Sequence, residues 1–105
     1  MKRAPRHDDI ASTVALLAVM AHPARLSMLL ALSREGALSA GELTTRASLE
    51  QSAASHQLRV LRDARLVSAT REGRRVIYRL ADRHVAHIVE DALSHAREGA
   101  FVDSA

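Results

Sequence analysis

Four side chains near the end of the sequence have the types and spacing of metal ligands: Asp82, His84, His95 and Glu98. Imidazole nitrogens and carboxylate oxygens bind Zn²⁺ at about 2 Å. On a helix that rises about 1.5 Å per residue, the attachment points of His84 and His95 lie about 16 Å apart, so one ion cannot reach both. His95 and Glu98 lie close enough on a helix to share an ion. Asp82 and His84 form a second pair where that helix would start.

Each chain therefore carries two half-sites, at opposite ends of one predicted helix. They become complete when an identical helix packs antiparallel across a two-fold axis, because Asp82 and His84 of one chain then meet His95 and Glu98 of the other. The spacing thus predicts a homodimer and its metal sites together, with two ions bound between the chains.

The donor set indicates which ion to expect. Two imidazoles and two carboxylates suit tetrahedral Zn²⁺, with Co²⁺ as an alternative. Ni²⁺ prefers more ligands and is less favoured, since only His7 could be added from the start of the chain. A different arrangement stays open, in which His84, His87 and Asp91 form a cluster on one helix.

Length and composition limit the fold that must position these residues. A chain of 105 residues forms one domain, and with 48% apolar but only 2% aromatic residues its core is expected to be aliphatic. The absence of cysteine excludes disulfides and thiolate metal sites. No apolar run approaches the roughly 20 residues of a membrane span, and the basic N-terminus lacks an apolar signal core. We therefore expect a cytoplasmic protein without a membrane partner.

The positive charge is concentrated in one part of the sequence. Although the net charge is only +3, seven arginines lie between His56 and Arg79, against two acidic residues, Asp63 and Glu72. Such a basic segment indicates contact with a polyanion.

Hydrophobic periodicity and turn signals predict the order of the elements. On the first helix, for example, Ile10, Val14, Leu17 and Met20 recur at helical spacing. The sequence Ser48-Leu49-Glu50-Gln51 resembles a capping box at the start of a later helix. In chain order we predict helices over 8–20, 23–33, 39–46 and 49–63, hairpin strands over 66–71 and 74–80 that turn at 72–73, and a last helix over 82–97.

This order is that of a winged helix-turn-helix, a mainly α fold with a small β-hairpin. We expect it to dimerise through its N- and C-terminal helices. Residues 1–7 are predicted to be a disordered arm, 8–98 the DNA-binding and dimerisation domain, and 99–105 a flexible tail.

In a helix-turn-helix, the N-terminal end of the second helix enters the major groove and a charged hairpin can serve as a wing. Short polar side chains read base edges, and later arginines meet phosphates. The alternative is that these residues only form a solvated polar face. The predicted DNA contacts are Gln51, Ser52, Ser55 and His56 for bases, Arg59 and Arg62 for phosphates, and Arg71, Arg74 and Arg75 for the wing.

Five stretches of the sequence carry a recognisable pattern: 21–26, 41–43, 49–62, 66–67 and 71–80. Through them, nearly the whole chain resembles the ArsR/SmtB family of metal-sensing repressors. The C-terminal ligand spacing is similar to that of the zinc-sensing branch. The arsenic- and cadmium-responsive branch carries cysteines where this sequence has Ser39-Ala40-Gly41, so those softer ions are poor candidates.

The resemblance implies a repressor that binds operator DNA as a metal-free homodimer and dissociates from it on binding zinc. It also implies a route in which the non-ligating nitrogen of His95 hydrogen-bonds toward the DNA-binding core at Gln51. Two other functions stay open. One is a regulator of the same fold that responds to Co²⁺, Ni²⁺ or no metal. The other, a zinc hydrolase, is disfavoured because four protein ligands leave no position for water, so we do not expect an enzyme.

Overall fold

The computed structural model describes residues 3–100, with the side chain of residue 100 excepted. Its elements confirm the predicted winged helix-turn-helix architecture. A three-stranded antiparallel sheet in the order β1-β3-β2 accompanies the helices. The elements are α1 (His7–Met20), α2 (Pro23–Glu35), β1 (Leu38–Ser39), α3 (Ala40–Arg46), α4 (Gln51–Asp63), β2 (Val67–Glu72), β3 (Arg75–Leu80), α5 (Arg83–His95) and a π-helical turn (Ala96–Ala100).

The predicted terminal segments are only partly covered by the structure. Helix α1 begins at His7, one residue before its predicted start. Just ahead of it, the guanidinium of Arg3 and the backbone N–H of Arg6 donate to Oδ2 of Asp9, at 3.0 and 2.9 Å. Residues 1–2 and 101–105 lie outside the described residues, so the arm and the tail stay predictions.

The hairpin turn lies one residue later than predicted. Strands β2 and β3 pair from Val67 with Leu80 to Glu72 with Arg75, which leaves Gly73 and the residue after it as a two-residue turn. Gly73 has a φ of 67°, a left-handed conformation that glycine adopts without strain. Two-residue turns with positive φ match the twist of the strands. The third strand, β1, was not predicted, because two residues give no alternation to detect.

The predicted capping box at Ser48 is wrong. Helix α4 begins at Gln51 after Glu50, whose side chain makes no capping hydrogen bond, and Ser48 lies in a left-handed turn with a φ of 55°. A capping box is instead present at the start of α3. There the Ser39 hydroxyl accepts from the Glu42 N–H at 3.1 Å, and Glu42 Oε1 accepts from the Ser39 N–H at 2.8 Å.

The core is aliphatic, as the composition predicted, and α2 lies at its centre. Apolar side chains of α2 meet those of α3, α4, the sheet and α5 in one cluster. Because α4 and α5 pack on the same helix, a displacement of one is felt by the other through close-packed side chains. The largest fully buried side chains are Met28, Leu29, Leu32, Leu43, Leu61, Leu66 and Val89.

Helices α1 and α2 meet at 90°. Within residues 3–100, no single helix is long and apolar enough to cross a membrane, and α1 with α2 satisfies the length and composition requirement only as a bent pair.

The N-terminus of α2 is capped by an imidazole. His22 Nδ1 accepts from the backbone N–H of Ala24 at 3.2 Å and of Arg25 at 3.5 Å. Replacing His22 with Ala removes this acceptor and is expected to lower the free energy of unfolding by about 1 kcal/mol. His22→Asn keeps a side-chain acceptor and should retain most of that stability. Urea unfolding measures both variants, and equal midpoints for them would show that the imidazole is not acting as a cap.

Candidate nucleic-acid interface and metal centre

Helix α4 separates a core face from a polar face. Ala54, Leu58 and Leu61 recur at helical spacing and are buried, which turns the opposite face outward. The side chains predicted to contact bases and phosphates are all exposed on this helix, so the structure makes them accessible to DNA. They are Gln51, Ser52, Ser55, His56, Arg59 and Arg62.

The three predicted wing arginines differ in their surroundings. Arg75 donates to Glu42 Oε1 at 3.1 Å, which connects the hairpin to α3. Hydrogen bonds from Ser39, the backbone N–H foremost, hold the pKa of Glu42 below its ordinary value, and Arg75 adds to that shift. Arg71 and Arg74 are exposed and form no ion pair within the part of the chain that the structure describes. Their guanidinium groups therefore face solvent, with no anionic partner among residues 3–100.

The hairpin, which is the predicted wing, and α4, the predicted recognition helix, flank the same short segment of α3. Ala40 and Gly41 line a cleft with Gln51 and Ser55 of α4, and they also line a second cleft with Arg74 and Arg75 of the hairpin. The structure thus brings residues 23 positions apart in sequence, Gln51 and Arg74, to the two sides of one surface. We call the exposed predicted contacts of α4 and the hairpin the polar DNA surface.

The predicted metal ligands are distributed along α5 as two separated pairs. Asp82 is the N-cap of the helix, and its Oδ1 accepts from the Val85 N–H at 3.2 Å. His84 follows in the first turn, His95 is the last residue of α5, and Glu98 lies in the π-helical turn; all four side chains are exposed. Since α5 is unbroken from Arg83 to His95, the separation of about 16 Å along its axis holds.

No group of three or more His, Asp or Glu side chains lies close enough together to hold a metal ion within residues 3–100 of one chain. The alternative cluster of His84, His87 and Asp91 is therefore not formed. The donor types and their exposure do fit two half-sites of two ligands each, provided that a second chain supplies the other half. Asp82 keeps a second carboxylate oxygen for that purpose, because capping uses only Oδ1.

Glu98 departs from the predicted geometry. The last α-helix was expected to reach Arg97, but it ends at His95, and the chain continues as a π-helical turn that closes at Gly99, with a φ of 86°. A π turn winds more loosely than an α turn, so Glu98 is displaced around the axis relative to the α-helical position beside His95.

Helix α5 is held against α2 by buried apolar side chains and by the hydrogen bonds of one carboxylate. Val85 and Val89 are buried, and Glu90 accepts from the Ser33 hydroxyl at 2.9 Å and from two guanidinium nitrogens of Arg34 at 3.3 and 3.2 Å. Hydrogen bonds from Arg34 and then Ser33 hold the pKa of the Glu90 carboxyl below its ordinary value. The carboxylate is therefore charged at neutral pH and fixes the rotation of the helix that carries the candidate ligands.

An apolar surface extends over α1 and α5. Ile10, Val14 and Leu17 of α1 are 52%, 60% and 47% exposed, and Ile88 of α5 is 36% exposed. Sequence periodicity placed these α1 positions on one helix face, and the described residues, 3–100, leave them about half exposed. A groove of about 300 Å³ lies beside it, lined by Leu17, Met20, Ala21, Leu26, Ile88, Val89 and Ala92.

Two residues that sequence reasoning missed connect α1, α2 and α4 through partly buried hydrogen bonds. Arg25 of α2 donates from Nε to the Val19 carbonyl at 2.6 Å and from a terminal nitrogen to Gln57 Oε1 at 2.7 Å. Arg25 and Gln57 are separated by 32 positions, and neither lies in a pattern that indicates pairing. The only signal was that both fall within stretches that carry the family resemblance.

Comparison with known proteins agrees with this geometry. The family described as "Bacterial regulatory protein, arsR family" matches residues 22–69. The HTH-type transcriptional regulator NmtR of Mycobacterium tuberculosis is 44% identical over 94 residues, which cover 89% of this chain and 78% of that protein. The HTH-type transcriptional repressor SmtB of the same species is 43% identical over 86 residues, which cover 82% of this chain and 63% of that repressor.

Among solved structures, the AntR antimony-specific transcriptional repressor superimposes with a TM-score of 0.82 and 31% identity, covering 93% of this chain and 88% of that one. The fold and these relatives thus define a winged helix-turn-helix transcriptional regulator, a class of DNA-binding proteins and not of enzymes. The chain belongs to the ArsR/SmtB family of metal-sensing transcriptional repressors.

Proposed function

We propose that this protein is a zinc-responsive repressor that binds operator DNA as a metal-free homodimer and releases it on binding Zn²⁺. The observation that carries the proposal is the placement of two incomplete pairs of exposed ligand side chains at opposite ends of one unbroken helix. Asp82 and His84 lie at its start, and His95 and Glu98 lie at its end and just beyond it.

A second copy of the chain is the partner that completes these pairs. Antiparallel pairing of two α5 helices brings the start of each helix to the end of the other. The exposed apolar side chains of α1 and α5, Ile10, Val14, Leu17 and Ile88, lie on the elements that such pairing would cover. An isologous two-fold interface uses the same surface twice, so one contact explains both the apolar face and the divided ligand set.

The donor chemistry favours Zn²⁺ over softer or larger-shell ions. Two imidazoles and two carboxylates suit tetrahedral Zn²⁺ or Co²⁺, and the lack of cysteine disfavours thiophilic ions such as the one named for the AntR relative. When bound, zinc supplies a fixed link between ligands of the two chains.

The internal contacts of the chain provide a path from α5 to the DNA. Glu90 holds α5 to Ser33 and Arg34 of α2, and α2 shares its core with α4. Fixing the two α5 helices relative to each other therefore constrains the separation of the two recognition helices. Operator half-sites about 34–36 Å apart are sensitive to that separation. The implied route from His95 to Gln51 stays a prediction.

Fluorescence anisotropy of a labelled duplex tests the proposal. The duplex is chosen by selection from a random library with the metal-free protein, and its affinity is measured with a chelator and with saturating Zn²⁺. A coupling free energy of about 1–3 kcal/mol predicts a loss of affinity of roughly 5- to 150-fold with zinc. His95→Ala should bind the duplex equally well in both conditions. Unchanged affinity in zinc-saturated wild-type protein would contradict the proposal.

Two details favour a second candidate, a regulator of the same fold that responds to Co²⁺, Ni²⁺ or no metal. Asp82 already caps α5, and Glu98 is displaced in the π-helical turn, so the histidines could act with water in place of the carboxylates. Parallel titrations with Co²⁺ and Ni²⁺ separate the candidates, because a closed tetrahedral site favours zinc and cobalt whereas a site completed by water also suits octahedral nickel.

A further inference from the structure

We propose that Arg25 is a positioning residue of the recognition helix, which it ties to the C-terminal end of α1. This inference rests on the proposed function in one respect: it assumes that α4 reads DNA and that α1 lies in a dimer interface. The tie itself is a pair of short contacts. The guanidinium donates to the Val19 carbonyl at 2.6 Å and to Gln57 Oε1 at 2.7 Å.

The contact with α1 gives a hydrogen-bond donor and a positive charge to the C-terminal end of that helix. The last carbonyls of an α-helix have no partner within the helix, and cations are favoured there by the helix dipole. Helix α1 has no basic residue in its own last turn. Arg25, which is the third residue of α2, supplies the missing cation from across the bend.

The contact with α4 occurs at a half-buried position. Arg25 and Gln57 are both partly buried, and charge-assisted hydrogen bonds shielded from water are stronger than those on an open surface. Gln57 directly follows His56 on α4, and its side chain is directed to the protein interior while that of His56 is exposed. Holding Gln57 therefore fixes the rotation of the face that carries the predicted base contacts.

Elsewhere, α1 and α4 are not closely packed against each other. An open groove of about 570 Å³ separates them, lined on one side by Ser12, Leu16 and Val19 and on the other by Val60 and Asp63. Space of this kind allows α1 to tilt relative to α4, since few side chains resist the motion. Val19, which lines this groove, is the residue whose carbonyl accepts from Arg25, and the same guanidinium donates across to Gln57 of α4.

In the proposed dimer, α1 is held in the interface between the two chains. The hydrogen bonds of Arg25 to α1 and α4 therefore set the distance of each recognition helix from that interface. Without it, the two recognition helices would sample a range of separations. Phosphate contacts would persist, because they tolerate small displacements, but preference for one half-site spacing would decrease.

Pulsed electron paramagnetic resonance measures the position of α4 relative to α1 directly. The sequence has no cysteine, so cysteines introduced at the exposed positions Ala11 and Ala53 are the only labelling sites. Labelled chains diluted with excess unlabelled protein report distances within one chain, without DNA or metal. Wild-type protein should give one narrow peak, and both Arg25→Met and Gln57→Met should lose it to a broader or displaced distribution.

Two control variants separate positioning from a general loss of stability. Gln57→Glu keeps an acceptor opposite Arg25 and should preserve the narrow peak. Arg34→Met removes another paired arginine from the same helix, the partner of Glu90, and should leave the α1–α4 distance unchanged. Gln57→Met retains the Arg25–Val19 contact, so it keeps the test valid if Arg25→Met does not fold. If both methionine variants keep the narrow wild-type distance peak and only their melting temperatures fall, Arg25 stabilises the fold but does not position α4.

A DNA measurement connects this result to function. Affinities are compared for the selected duplex and for the same duplex with one base pair inserted between half-sites. The ratio of the two affinities should be large for wild-type protein and smaller for Gln57→Met; equal ratios would overturn the assignment. Because neither readout uses metal, absence of a zinc response would contradict the proposed function and leave the Arg25 inference standing.

Discussion

A heterodimer of one His84→Ala chain and one His95→Ala chain is expected to bind zinc tightly at one site, although neither mutant homodimer does. In either homodimer, every site lacks one imidazole. In the heterodimer, one site lacks both and the other keeps all four ligands, because each site takes its halves from different chains. Loss of even a supporting outer hydrogen bond lowers metal affinity by roughly 10- to 100-fold, and loss of a ligand should lower it more.

The measurement uses two affinity tags to purify the heterodimer, followed by competition with a zinc chelator. The matched control is His87→Ala, an exposed histidine on the same helix that belongs to neither half-site, and it should bind zinc as the wild-type protein does. If the heterodimer binds no better than its parents, the ligands do not come from two chains. A loss in His87→Ala would return His87 to the ligand set.

The elements of the fold were predictable because their signals are local. Helix spacing on α1, the alternation in the hairpin and the D-x-H pair at the start of α5 each depend on residues close in sequence. The errors arose where two local signals compete. Ser48 has a capping side chain, but the backbone there turns left-handed between two helices, and the true capping box uses Ser39 and Glu42.

The candidate site could be predicted only in part, because some of its geometry depends on distant contacts. The separation of His84 from His95 follows from helix rise and was available from the sequence. The looser turn that displaces Glu98 was not, because no residue type specifies a π-helical turn. Nor was the pairing of Arg25 with Gln57, which requires the packing of α2 against α4 to be known.

Contacts between residues distant in sequence also change the contribution to DNA binding that is expected of each wing arginine. From sequence, Arg71, Arg74 and Arg75 are equivalent cations on a hairpin tip. In the structure, Arg75 already donates to Glu42, whereas Arg71 and Arg74 form no ion pair in residues 3–100. Glu42 already neutralises part of the Arg75 charge and occupies one of its N–H donors, so a phosphate is expected to gain less at Arg75 than at Arg71 or Arg74.

Replacing Arg71 and Arg74 with Met is expected to weaken binding to every DNA sequence and to reduce the salt dependence. Each phosphate contact contributes about 0.9 to the slope of log affinity against log salt, so the double variant should lose a slope of nearly two. Arg75→Met should lower the slope less than Arg74→Met does. Anisotropy titrations of selected and random duplexes over a range of salt concentrations give these slopes.

Replacing Gln51 or Ser55 should lower the preference for the selected sequence and leave the salt dependence of binding unchanged. Their side chains are exposed at the start of α4, the end of the helix for which base contacts are predicted. Each Ala variant should therefore lose roughly 1–3 kcal/mol on the selected duplex and little on random DNA, with the salt slope retained. Arg34→Met is the control for net charge: it removes one positive charge at the α2–α5 contact, outside the polar DNA surface, and should preserve both slope and preference. Equal slope losses for Arg34 and Arg74 would mean that long-range charge, rather than contact by the wing, produces the salt dependence. Unchanged base preference in the Gln51 and Ser55 variants would remove the N-terminal end of α4 from the reading surface.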